Sequence, residues 1–105
     1  MKTLHEELQD EKDLLSDPAR WTKGYFARDS NGYRTAASSK DTICWCQAGA
    51  SYKFGTQRHA RLIKDHVAII RGFINSIYFN DHEDTTHEML MEFYDDCIKE
   101  AKTRV

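Results

Sequence analysis

Cys46 is the side chain in this 105-residue sequence best suited to covalent chemistry, and His66, His82 and His87 are the histidines that could serve it as a base. A cysteine nucleophile needs an imidazole beside the thiolate and a third group to orient that imidazole, a place Asp81 could take. The flanks of Cys46 carry no nucleophile signature, however, and its neighbours fall at a helical spacing that would bury it. A second set, Asp81, His82, Asp84 and His87, has the right donor types for zinc or another divalent cation. Its spacing matches no familiar site, and a solvated acidic loop before a helix accounts for it as well. Third, Asn80 and Asp81 follow an apolar run directly. Short polar side chains bond to nearby backbone and fix turns, so the pair could brace the next helix. Beside Trp21 and Trp45 it could instead wall a pocket for a small polar ligand, with Trp21, Asn80 and Asp81 as its binding residues. Tryptophans are more often core anchors than ligand walls. No catalytic residue, metal or cofactor is assigned.

Charge is unevenly placed. Residues 1–19 carry a net −4, residues 20–71 a net +7 and residues 72–105 a net −5, within a whole-chain charge of −2. Arg61, Lys64 and Arg71 can project together from one helix, as contacts to a phosphate backbone require. Against a nucleic-acid partner stand a pI near 6.2 and the acidic blocks on both sides. The solvated face of an amphipathic helix paired with acidic neighbours explains the same residues.

Those residues must be positioned by a core, and the composition allows one. Hydrophobic residues make up 40% and charged residues 30%, ordinary for a single globular domain over residues 1–105 and too apolar for a disordered chain. No apolar run approaches the roughly 20 residues of a membrane helix. The start, Met1-Lys2-Thr3-Leu4-His5-Glu6-Glu7, lacks the apolar stretch of a secretion signal. Cys44, Cys46 and Cys97 make an odd count and a poor disulfide framework, which suits buried thiols in a reducing compartment. The expected location is the cytoplasm, with no membrane partner.

The expected elements follow from periodicity. Leu4, Leu8 and Leu15 form the stripe of an amphipathic helix over residues 3–15. Asp17-Pro18 interrupts it and can open a short new turn. Asn31-Gly32 between Tyr25-Phe26-Ala27-Arg28 and Tyr33-Arg34-Thr35 predicts a β-hairpin near residues 25–36. A helix is expected from Ser38 or Ser39 to Phe54, on the spacing of Ile43, Cys46, Gln47, Ala50 and Phe54, with Gly55 as its stop. Within it, Ala48-Gly49-Ala50 leaves room for another backbone to come close. Residues 57–78 read as the core helix, through the stripe Ile63, Val67, Ile70, Ile74 and Ile77, with Gly72 as a point of kinking or division. Thr85-Thr86-His87-Glu88 reads as a capping box opening a last helix that buries Leu90, Phe93, Tyr94, Cys97 and Ala101.

Four motifs in this order carry a resemblance: Trp21-Thr22-Lys23-Gly24, Trp45-Cys46-Gln47-Ala48-Gly49-Ala50, Phe79-Asn80-Asp81 and Thr85-Thr86-His87-Glu88. Together they resemble an uncharacterised bacterial and phage family of small proteins, a domain of unknown function, over residues 14–101. The resemblance implies no established activity, so no catalytic role comes with it.

The expected fold is mainly α: about four helices around Trp21, Trp45, Ile70, Ile74 and Phe93, with the short hairpin. The expected function is that of a small non-enzymatic protein-binding or modulator protein, phage-encoded by the resemblance, whose partner is a host protein. The alternatives are a small polar-ligand or hydrolytic site around Trp21, Cys46, Asn80 and Asp81, and nucleic-acid binding by the basic middle.

Overall fold

A computed structural model describes residues 2–104. The first helix, α1 (Leu4–Leu14), starts where Thr3 and Glu6 cap each other: the Thr3 hydroxyl accepts the Glu6 N–H, and the Glu6 carboxylate accepts the Thr3 N–H at 3.0 Å. Leu8 and the following Leu15 are fully buried, packed towards the last helix. Asp17 then accepts the Ala19 N–H at 2.9 Å and opens a single 3-10 turn, Pro18–Arg20.

The Asn31-Gly32 turn forms, with Gly32 at a φ of +83° that side chains disfavour. Asp29 N–H bonds to Tyr33 O at 2.8 Å and Thr35 N–H to Ala27 O at 3.0 Å, closing the predicted hairpin through a bridge between Arg28 and Arg34. The more extensive pairing of β1 (Ala27–Asp29) lies on its other side, where it runs antiparallel to β2 (Thr42–Trp45). Ala27 faces Trp45, Arg28 faces Cys44 and Asp29 faces Thr42. Ile43 has no opposite number, so the ladder bulges there and leaves its side chain half exposed.

The expected helix from Ser38 or Ser39 is corrected by this ribbon. Thr-Ile-Cys-Trp is rich in β-branched and aromatic side chains, and it buries Thr42 and Cys44 against one face while Ile43 points out. Its apparent helical spacing joined a strand to a helix. Only at Gln47 does α2 (Gln47–Phe54) begin, capped by Cys46 and ended by Gly55 at a φ of +71°.

The long core helix is also divided. Helix α3 (Gln57–Ile70) buries Ala60, Ile63, Lys64, Val67 and Ala68, then ends at Gly72, whose φ is +95°. The Gly72 N–H reaches Ile69 O and the Phe73 N–H reaches Ala68 O, satisfying the last carbonyls. Asn75 caps a fresh helix, α4 (Ser76–Asp81), by accepting the Tyr78 N–H at 3.0 Å. Ile70 and Ile74, expected in the core, are 71% and 73% exposed. Ile70, the last residue of α3, is turned to its solvent side, and Ile74 lies beyond Gly72, where the helical phase is broken. Phe79 of α4 takes the core position instead, stacked on Phe93 with ring centroids 4.6 Å apart.

The last helix, α5 (His87–Thr103), buries Leu90, Phe93, Tyr94, Cys97 and Ala101, as the periodicity predicts. Its cap is one residue later than expected. Thr86 accepts the Met89 N–H at 3.1 Å, while the Thr85 hydroxyl donates to Phe79 O at 2.7 Å and ties the end of α4 down. The result is the expected mainly α-helical domain, in which α5 packs on α1 and α3, α2 joins α1, α3 and α4, and the two-stranded ribbon lies against the 3-10 turn and the start of α2.

Candidate functional site

One carbonyl oxygen joins three of the four motifs that carry the family resemblance. Asn80, 1% exposed, accepts the Trp21 indole N–H at 2.8 Å and the Gln47 backbone N–H at 3.0 Å on the same Oδ1. Its Nδ2 donates to Thr22 O at 3.2 Å and to Asp81 Oδ1 at 2.9 Å. An asparagine side chain offers two lone pairs and two N–H donors, and all four are in use here. Asn80 therefore caps α2 from across the molecule, because the Gln47 N–H is one of the donors that a helix start leaves without an intrahelical partner. Trp21 is held at the same point, next to the ribbon through the bond from Thr22 N–H to Trp45 O.

The start of α2 is crowded for a second reason. The Phe26 carbonyl accepts the Cys46 N–H at 3.1 Å and lies so close to Gly49 that a Cβ there would stand 1.8 Å from it. Only glycine allows that approach, as Ala48-Gly49-Ala50 had suggested. Cys46 caps the helix with its sulfur, accepting the Gly49 N–H at 3.2 Å. Burial pushes its thiol up from the ordinary range, against the opposing pull of the Gly49 and Ala48 amides.

The candidate nucleophile is thus a protonated, buried cap. The histidines are employed elsewhere. His87 bonds to Leu15 O at 2.6 Å, His82 accepts the Asp84 N–H at 3.1 Å, and His66 lies 3.9 Å from Glu100. Among the described residues, no three His, Cys, Asp or Glu side chains gather as metal ligands, the Asp81, His82, Asp84 and His87 set included.

Asn80 and Asp81 part company at the surface. Asp81 is exposed, with Oδ1 accepting the Gly24 N–H at 2.9 Å as well as the Asn80 amide. It lines an open cleft of about 510 Å³ between residues 24–26, Arg34, Thr35, Cys46 and Ile77. Of the three candidate ligand-binding residues, Asp81 alone lines that cleft; Asn80 lies behind it and Trp21 beside Asn80.

The basic row does not assemble as expected. Lys64 is 2% exposed and Glu11 fully buried, and their Nζ and Oε1 atoms lie 2.9 Å apart. Tyr94 donates to Glu11 Oε1 at 2.8 Å, while Ser51 and Thr56 donate to Oε2 at 2.7 and 3.1 Å. Lys64 spends its other donors on Gln47 O and Ser51 Oγ. Burial, helped by the Glu11 charge, pushes the Tyr94 hydroxyl well above its ordinary range. Arg71 pairs with Asp96 on α5, leaving Arg61 as the exposed member of the three. No spacing along the chain pairs these two residues, although Glu11 falls on the stripe of Leu4, Leu8 and Leu15, and Lys64 between Ala60 and Ala68. A charge at a core position of an amphipathic helix was the available signal.

Fold and site define a small mainly α-helical domain with a two-stranded ribbon, cross-tied by one buried asparagine. The family model described as a family of unknown function (DUF6197) matches residues 1–100, and the chain belongs to that family. Neither the curated proteins nor the solved structures include a match. No helix among the described residues is long and apolar enough to cross a membrane.

Proposed function

We propose that this chain is a small non-enzymatic binding or modulator protein whose partner is another protein, acting in the cytoplasm. The family resemblance adds the narrower form, a phage-encoded protein acting on a host protein. The observation that supports the reading is an unpartnered apolar stripe on α3 and the turn after it. Leu62, Ile69, Ile70 and Ile74 are 74%, 57%, 71% and 73% exposed. Leu62 and Ile69 sit two helical turns apart on one face. Helix α3 carries a core stripe on its other side, so the outer stripe is surplus to folding. Large exposed apolar surface of this kind marks interaction sites.

The same helix carries exposed Arg58 and Arg61 towards its start. A fitting partner therefore presents an apolar surface flanked by acids, which the arginines would steer and align. The test compares the wild-type chain with Leu62→Glu and Ile70→Glu, two exposed positions whose replacement should leave stability within about 0.5 kcal/mol. Immobilised wild-type protein should retain one lysate protein in stoichiometric amount, and both variants should lose it. Retention of nothing, or equal retention by the variants, would refute the reading.

A further inference from the structure

We propose that the cleft beside Asp81 binds a small zwitterion of the amino-acid class, one that carries an ammonium and a carboxylate on an apolar body. The inference does not rest on the partner surface of α3. Its first support is size, since about 510 Å³ falls within the ordinary range of small-molecule sites. The second is the wall. Tyr25, Phe26 and Ile77 line the cleft and are 42%, 49% and 44% exposed, so each leaves half of an apolar side chain uncovered.

The third support is a pair of unspent opposite charges. Asp81 and Arg34 both line the cleft, and neither forms an ion pair among the described residues. Asp81 is held in place: the Gly24 N–H and the Asn80 amide occupy Oδ1, which leaves Oδ2 for a ligand ammonium. Arg34 lies 5.5 Å from the centre of the Tyr25 ring and Arg28 4.4 Å from the same ring. Arg28 is committed to Thr22, Gly32 and Lys23. The Arg34 guanidinium makes no hydrogen bond among the described residues, so its donors are available to a carboxylate. Such a carboxylate would also relieve the repulsion between two cations on one ring.

These charges select the ligand. A lone cation meets Asp81 favourably but also the Arg34 guanidinium, and a lone anion meets Arg34 favourably but also the Asp81 carboxylate. A neutral molecule desolvates both charges and pairs neither. A zwitterion pairs each, while its apolar body covers Tyr25, Phe26 and Ile77. Both charges are solvated, so the affinity is modest, with a Kd on the order of 1 mM.

The test is an amide-shift NMR titration of the full chain with L-phenylalanine, and with 6-aminohexanoate as a zwitterion of wider charge separation. Phenethylamine and 3-phenylpropanoate are the single-charge counterparts. At least one zwitterion should shift the amides of Gly24, Tyr25 and Asp81, and bind about threefold or more tightly than the single-charge molecules. Arg34→Gln and Asp81→Asn should each weaken it by a similar factor. Asp81→Asn keeps an oxygen for the Gly24 N–H, and a matching melting temperature shows that both variants stay folded. The proposal is overturned if neither zwitterion shifts these amides at about 10 mM, if the single-charge molecules bind as well, or if both variants bind like the wild type.

Discussion

Replacing Asn80 by alanine should unfold this protein far more readily than the loss of one exposed polar side chain would. The substitution leaves the Gln47 N–H without an acceptor in a buried place, which costs about 1–3 kcal/mol. The Trp21 indole N–H and the Thr22 carbonyl lose partners where water has partial access, at about 0.5–1.5 kcal/mol each. The expected loss is therefore on the order of 3 kcal/mol, or a melting temperature lower by roughly 12–24 °C for a domain of this size. Thermal unfolding followed by circular dichroism, with urea titration at fixed temperature, measures it. Below both midpoints, Asn80→Ala should still retain the protein partner, because Asn80 is buried and lies off the exposed α3 stripe proposed to hold that partner. A loss under about 1 kcal/mol would refute the cross-tie, since water would then be replacing the four bonds freely. Asn80→Asp separates donor from acceptor. Its second oxygen would face Thr22 O and Asp81 Oδ1 in place of an N–H, so a comparable loss is expected.

Other positions give sharp expectations. Gly49→Ala drives a Cβ to 1.8 Å from the Phe26 carbonyl and should cost about 3 kcal/mol in a urea titration; an unchanged midpoint would mean that the ribbon can step away freely. Lys64→Met strands the buried Glu11 charge and should cost about 3–5 kcal/mol, with the Glu11→Leu/Lys64→Met double variant losing clearly less than the sum of the single changes. Native protein should react with a thiol reagent only as fast as it opens, and rapid labelling of Cys46 would contradict its place as a buried cap. Tyr94 has its folded pKa raised, so the unfolded chain gives up this proton first. Its contribution to stability is whole below about pH 10 and declines as pH rises above that; Cys46 and Cys97, raised by the same burial, add to the decline from about pH 8.5. A flat stability between pH 8 and 11 would contradict the burial of all three.

The sequence by itself determined the helix-rich class, the amphipathic first and last helices, the Asn31-Gly32 turn and the close approach at Gly49, because those signals are local. A 3.6-residue stripe, a turn dipeptide or a missing side chain is legible wherever the rest of the chain goes. It misled where periodicity ran through a change of element: Ile43 was counted into a helix although it bulges from a strand, and Ile70 and Ile74 into a core although Gly72 resets the helix phase before Ile74 and α3 turns Ile70 outward. Only the tertiary structure decided the work of the polar residues. Asn80 and Asp81 are adjacent and chemically alike, yet one is closed by donors and acceptors from Trp21, Thr22 and Gln47, while the other keeps an oxygen for the cleft. Glu11 and Lys64 stand 53 residues apart and meet in the core only because α1 and α3 are brought together. A hydrogen bond depends on where a distant partner comes to rest, and that is settled by packing rather than by any spacing along the chain.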